Sequence, residues 1–230
     1  METVAPGVYR IRLGYVSAYV VDGDEGVTLV DTGLPKKEGA ILGALSSVGR
    51  SASEITAIVI THAHVDHVGS AAAMKRESGA SLFASAVDAP AVRGEVAKPL
   101  PPFLDRVPFL KPVVRRLPDA AGVAVEGHLV EGAAAALPGD LRVVETPGHT
   151  PGHLSYHLDR DGGVLFVGDA AIRTRRGDVK RGWMNRSTPQ FDDSLRHIAE
   201  FDFEVACFGH AAPIASAASA AFRRFVASMS

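Results

Sequence analysis

The chain reads as an α/β protein of layered strands and helices, and three observations support that reading. Short apolar runs of strand length recur along it, segments with helical periodicity fall between them, and the runs end abruptly in histidine or aspartate. Residues 8–13, 18–22 and 27–30 have the composition of a β-meander, broken by Gly14 and by Asp22-Gly23-Asp24. The third run ends in Asp31-Thr32-Gly33. Residues 34–48 read as a helix on Ile41, Leu42, Leu45 and Val48, closed by Gly49. A strand over 55–60, a helix over 71–77 stopped by Gly79, and a strand over 81–84 continue the alternation.

Between residues 89 and 122 this pattern breaks. Prolines at 90, 99, 101, 102, 108, 112 and 118 punctuate apolar residues that recur at helical intervals in two short pieces. So long a connection is unusual without a role. It reads as a small helical lid around 90–121 with an apolar underside, or as an extra packing element. Strands are then expected at 123–125, 128–130, 141–145, 154–158 and 164–167. A basic irregular stretch covers 171–188, followed by a helix over 191–201, a strand over 205–208 and a closing helix over 216–229. Strand, meander and ligand recur in the second half, which suggests two related halves. No linker interrupts the chain, so residues 1–230 are expected to form one domain.

With 230 residues and 47% hydrophobic content, the chain can build a substantial core. A net charge of -2 argues against a general nucleic-acid binder. The lone cysteine, Cys207, excludes an intrachain disulfide and, within Val205-Ala206-Cys207-Phe208, reads as a small core residue. The first residues lack the basic and apolar regions of a secretion signal, and no apolar run reaches the roughly 20 residues that span a bilayer. These features predict a cytoplasmic protein without a membrane span; its oligomeric state is left open.

The chemistry concentrates in Thr61-His62-Ala63-His64-Val65-Asp66-His67-Val68-Gly69-Ser70. In an extended segment, side chains two apart point the same way, so His62 and His64 can grip one ion. Asp66 and His67 follow where the chain turns into a helix and aim at a second point nearby. Imidazole with carboxylate suits zinc or iron better than magnesium or calcium. Three further strand ends offer ligand types at His149, Asp169 and His210.

Together with Thr146-Pro147-Gly148-His149-Thr150-Pro151-Gly152-His153, Gly168-Asp169 and Gly209-His210, this run resembles the metallo-β-lactamase fold superfamily, its glyoxalase II-like branch in particular. The resemblance implies a four-layer αββα sandwich with the site along one sheet edge. It implies His62, His64 and His149 at a first metal, and Asp66, His67 and His210 at a second, with Asp169 bridging both. Asp31 would orient a ligand from behind, and His153 would be structural. The implied cofactors are two Zn²⁺, with Fe²⁺ or Mn²⁺ as alternatives. The implied activity is hydrolysis of a small-molecule substrate, a small ester, lactone or thioester, by a metal-bridging hydroxide that Asp66 aligns. Such ions lower the pKa of bound water to about 7. The alternative is a mononuclear iron dioxygenase of the persulfide type on His62, His149 and Asp169, a two-histidine-one-carboxylate set.

Departures narrow the branch. Cys207 lies too close to His210 to match the zinc-binding cysteine of some lactamases. Ala170 to Gly177 lacks the Gly-Cys-Gly loop usual in glyoxalase II. Ile172 stands where quorum-quenching lactonases commonly have tyrosine. Arg173 and Arg175 beside Trp183 could clamp an acidic substrate group, or form a solvated loop. His128, His157 and His197 are expected away from the site.

Overall fold

The computed structural model describes residues 1–100, 119–132, 137, 140–182 and 185–229. Its first sheet takes seven strands in sequence order: β1 (Glu2–Ala5), β2 (Val8–Arg12), β3 (Ser17–Gly23), β4 (Gly26–Val30), β5 (Ile55–Val59), β6 (Ser81–Ser85) and β7 (Gly127–Leu129). The first four form an antiparallel meander, whereas β4 to β7 pair in parallel. Helices α1 (Glu38–Ser46), α2 (Val65–Val68), α3 (Ala71–Ser78) and α4 (Ala89–Val92) fall in the connections of this part. The second sheet comprises β8 (Leu141–Glu145), β9 (Leu154–Leu158), β10 (Val164–Gly168) and β13 (Val205–Phe208), in the order β13-β10-β9-β8. A small hairpin of β11 (Ile172–Arg173) and β12 (Val179–Lys180) follows β10, and α5 (Thr188–Ile198) and α6 (Ala218–Ala227) flank β13 in sequence.

Side-chain alternation turns these elements into four layers. Val20, Leu29 and Ile58 face Ile41, Leu45 and Met74 of α1 and α3. The opposite faces of the same strands bring Tyr19, Val21, Val30 and Val59 against Leu141, Tyr156, Phe166 and Cys207 of the second sheet. The outer face of that sheet, with Leu165, Val167 and Phe208, is covered by Phe191 and Leu195 of α5 and Phe222 of α6. Three apolar interlayers between helix, sheet, sheet and helix constitute the αββα sandwich. Each fully buried Leu, Ile or Phe contributes about 1.5–3 kcal/mol relative to exposure. Cys207 is wholly buried, and burial pushes its thiol up.

Two phenols buried between the sheets fix strand ends rather than merely filling space. Tyr156 donates to the Ile60 carbonyl at 2.7 Å, and Tyr19 donates to the Phe208 carbonyl at 2.7 Å. Each acceptor lies two residues before a histidine of the site, so a packing decision in the core becomes a positional constraint on chemistry.

The sequence-derived boundaries need several corrections. Residues 34–37 are not helical: Lys36 has φ +64°, and the Ser70 hydroxyl accepts from Lys37 N–H while donating to the Leu34 carbonyl. Residues 123–125 form no strand, because Val123 N–H is taken by the Val92 carbonyl and bonding to β6 starts with Glu126 N–H on the Leu82 carbonyl. Helix α5 begins three residues before the expected start, with Pro189 in its first turn, where a fixed φ and a missing N–H cost nothing. Strand β1 was not anticipated, nor the β11–β12 hairpin inside the basic stretch. The lid expected around 90–121 falls mostly on residues 101–118, outside the described residues.

Candidate metal centre

Every candidate ligand follows the carboxyl end of a strand. His62, His64, Asp66 and His67 follow β5, His149 follows β8, Asp169 follows β10 and His210 follows β13. The run after β5 is held from behind by Asp31, which follows β4 and adopts φ +59°. Asp31 Oδ1 accepts Thr61 N–H at 2.8 Å, and Oδ2 accepts both the Thr61 hydroxyl and His67 Nδ1, each at 2.8 Å. Gly69 lets this unit close, since a Cβ there would stand 2.3 Å from backbone atoms of Leu34 and Pro35.

Outer partners decide which nitrogen of each ring turns inward. The Thr61 hydroxyl gives its proton to Asp31 and therefore accepts from His62 Nδ1 at 3.1 Å, leaving the Nε2 lone pair facing the centre. His67 Nδ1–H is likewise committed to Asp31, and His210 Nδ1 lies 3.2 Å from the Tyr15 carbonyl. A carboxylate or carbonyl behind a histidine is the arrangement that fixes ring orientation in metal sites.

The inward atoms converge. His64 Nδ1 lies 2.9 Å from His62 Nε2 and 3.0 Å from His149 Nε2. His210 Nε2 lies 3.4 Å from both His67 Nε2 and Asp66 Oδ2. Asp169 spans the two groups, with Oδ2 3.4 Å from His149 Nε2 and 3.2 Å from His210 Nε2, and Oδ1 3.7 Å from His67 Nε2. Two donors on one tetrahedral zinc, each about 2.0–2.1 Å from it, stand about 3.3 Å apart. The donor atoms of three sets, His62/His64/His149, His62/His67/Asp169 and Asp66/His67/His210, each lie within 4.8 Å of one another.

Electrostatics agree with a cation-holding role. Burial first, then its histidine neighbours, hold His62 well below the usual imidazole range. Burial and then His149 bring His64 down to about 3, so both rings are neutral and able to ligate. Burial alone would raise the Asp169 carboxyl, but His67 and His210 hold it well below the usual carboxylate range. Burial disfavours the charge on His67, yet Asp169 and Asp31 outweigh it and push the ring well up. Asp169 Oδ1 is buried with no hydrogen-bond partner among the described residues. Its nearest ionisable neighbour is the His67 ring, 3.7 Å away and beyond hydrogen-bond reach, whose inward proton a bound metal would displace. These residues therefore fit a metal pair.

Two supporting side chains, Asp88 and Tyr15, escaped the sequence reading, which had His153 as structural. Asp88, 3% exposed, accepts Ala63 N–H at 2.8 Å and the Thr150 hydroxyl at 3.2 Å, clasping the two loops that carry His62, His64 and His149. Gly152 closes against it, because a Cβ would lie 2.5 Å from Asp88 Oδ1. His153 has a specific task within its structural role: its Nε2 accepts Asp169 N–H at 3.0 Å while Nδ1 faces Thr146 Oγ1 at 2.8 Å. Tyr15 stacks on His210 with ring centroids 5.6 Å apart.

The family model of the metallo-beta-lactamase superfamily matches residues 11–210. The chain belongs to that superfamily. Among its relatives is the probable metallo-hydrolase YflN of Bacillus subtilis, 25% identical over 91% of this chain and 86% of that protein. A hydroxyacylglutathione hydrolase of Rhodospirillum rubrum is 30% identical over 76% of this chain, which spans only 55% of that protein. The solved metallo-beta-lactamase family protein TTHA1429 of Thermus thermophilus superposes with a TM-score of 0.71 at 25% identity, covering 99% of this chain and 80% of that one. The superfamily match together with the metallo-hydrolase relatives indicates a hydrolase; it does not by itself say which bond is cut. Among the described residues no helix is long and apolar enough to cross a membrane.

The remaining sequence candidates lie as follows. Arg173 and Arg175 sit on the β11–β12 hairpin and its turn, rooted at Asp169, whose carbonyl would lie 2.5 Å from a Cβ on Gly182. Trp183 is outside the described residues. His128 lies 3.5 Å from Arg93, His157 faces the Asp202 carbonyl at 3.0 Å, and His197 contacts Glu131 at 2.7 Å and Glu200 at 3.2 Å. Replacing any of these three by glutamine should leave bound metal per chain unchanged in elemental analysis. His197→Gln has a second expected result. Burial opposes its charge, but Glu131 and Glu200 raise its pKa, so this contact stabilises fully below the unfolded value near 6.5 and fades as pH rises through the folded one. Because the ring is half-exposed, the loss should stay within about 0.5 kcal/mol, seen in urea midpoints at pH 5.5 and absent at high pH.

Proposed function

We propose that this chain is a dinuclear zinc hydrolase that cleaves a small ester, lactone or thioester carrying an apolar body and an acidic group. One observation carries the reading: Asp169 presents its two oxygens to both donor groups, Oδ2 to His149 and His210 and Oδ1 to His67. His62, His64 and His149 would hold one ion, Asp66, His67 and His210 the other, and Asp169 both. When bound, such ions supply hydroxide at neutral pH and polarise a carbonyl.

The chain's own residues supply orientation and proton handling. Asp31 and Thr61 fix the tautomers of His62 and His67, and His153 holds the backbone of Asp169. Asp66 is partly open to solvent, so its carboxylate can accept a hydrogen bond from the attacking water and align it. No side-chain nucleophile is required. Arg173 and Arg175, on the hairpin rooted beside Asp169, would receive the acidic group as guanidinium forks do. The iron dioxygenase alternative needs only His62, His149 and Asp169, and it leaves the convergence of Asp66, His67 and His210 without a purpose.

Elemental analysis of protein purified without added metal, paired with chromogenic lactones, thioesters, β-lactams and phosphoesters, tests this. About two zinc per chain with lactone, ester or thioester turnover is expected. One iron with thiol-dependent oxygen uptake would favour the dioxygenase. Arg173→Gln with Arg175→Gln should raise KM several-fold for acidic esters and leave neutral ones unchanged; equal KM across the panel would remove the arginine clamp.

A further inference from the structure

Tyr15 is 63% exposed, yet its ring and its carbonyl both meet His210. Its ring lies parallel to that of His210, tilted by only 10°. Its carbonyl faces His210 Nδ1 at 3.2 Å. The residue sits in the tight turn between β2 and β3, closed by Leu13 N–H on the Val16 carbonyl at 2.9 Å, with Gly14 at φ +92°. The turn is itself fixed to the strand end that delivers His210, through Ser17 N–H on the Gly209 carbonyl at 2.8 Å and Tyr19 on Phe208.

A large aromatic ring left mostly in water gains little from burial, so its placement needs another account. Its ring lies against His210, and its carbonyl sets the tautomer that leaves His210 Nε2 free to face inward. We propose that Tyr15 is a positioning residue for the second metal position, holding His210 in ligating geometry from the amino-terminal hairpin. The inference rests on the dinuclear reading above and adds to it a residue far from every ligand motif in sequence. It differs from the first position, whose ligands are held by Thr61 and by Asp88.

Stepwise titration of metal-free protein with Co²⁺, followed by calorimetry and by visible absorption, tests it without reference to turnover. In the unaltered protein two binding steps are expected. Tyr15→Ala, which keeps the carbonyl but removes the ring stacked on His210, should weaken the second step several-fold and leave the first unchanged. Tyr15→Phe, which keeps the ring on His210, should titrate like the parent in both steps. Thermal midpoints of the metal-free variants should match the parent, because the ring is exposed. An unchanged second step in Tyr15→Ala, or both steps weakened alike, would overturn the assignment. A single step in the unaltered protein would instead overturn the dinuclear reading, and this inference with it.

Discussion

Asp66→Ala should lower kcat by roughly 10²–10⁴-fold, the range lost with a general acid–base group, and reduce bound metal from two ions per chain to one. Two effects combine. The substitution removes the carboxylate that stands 3.4 Å from His210 Nε2, so the second donor group loses its anionic member. It also removes the acceptor that would align the attacking water. The first group is built from His62, His64 and His149 and should keep its ion. Steady-state kinetics and elemental analysis on the same sample would separate the two. Full activity with one ion bound would show that a single metal suffices.

Asp31→Ala is expected to be the most destabilising single change near the centre. Its carboxylate, 3% exposed, receives Thr61 N–H, the Thr61 hydroxyl and His67 Nδ1. Alanine would leave those buried donors unpaired, and breaking a buried charge-assisted set of this kind costs about 3–5 kcal/mol. The His62 and His67 tautomers would lose their anchor as well, so affinity at the second position should fall roughly 10–100-fold. A urea melt monitored by circular dichroism reads the first effect, and competition with a chelator reads the second. Asp31→Asn keeps the shape and one acceptor oxygen, and should fall between. If Asp31→Ala melted with the parent midpoint, the carboxylate would be a bystander.

The candidate ligand positions were legible because each follows an apolar strand, where a sequence pattern and a spatial position coincide. The order Thr61 to His67, His149, Asp169 and His210 could be read without coordinates, and the structure brings all seven side chains together. What supports them could not be read so easily. Asp88 acts on Ala63 and Thr150, 25 and 62 positions away, and nothing in its neighbourhood, Val87-Asp88-Ala89-Pro90, announces that. Tyr15 meets His210 across 195 positions. The short edge strand β1 has exposed side chains and so lacks the apolar alternation that marks a half-buried strand. Residues 34–37 kept a helical composition, while a long-range partner, Ser70, claimed their backbone groups. Local pattern reports burial and period; it is silent about which distant polar group will compete.

Anomalous diffraction at the zinc absorption edge, on crystals grown from zinc-loaded protein, addresses the central assignment most directly. Two peaks are expected, one within ligating distance of His62, His64 and His149, the other of Asp66, His67 and His210, with Asp169 between them. A single peak, or two peaks away from these residues, would contradict a shared two-ion centre.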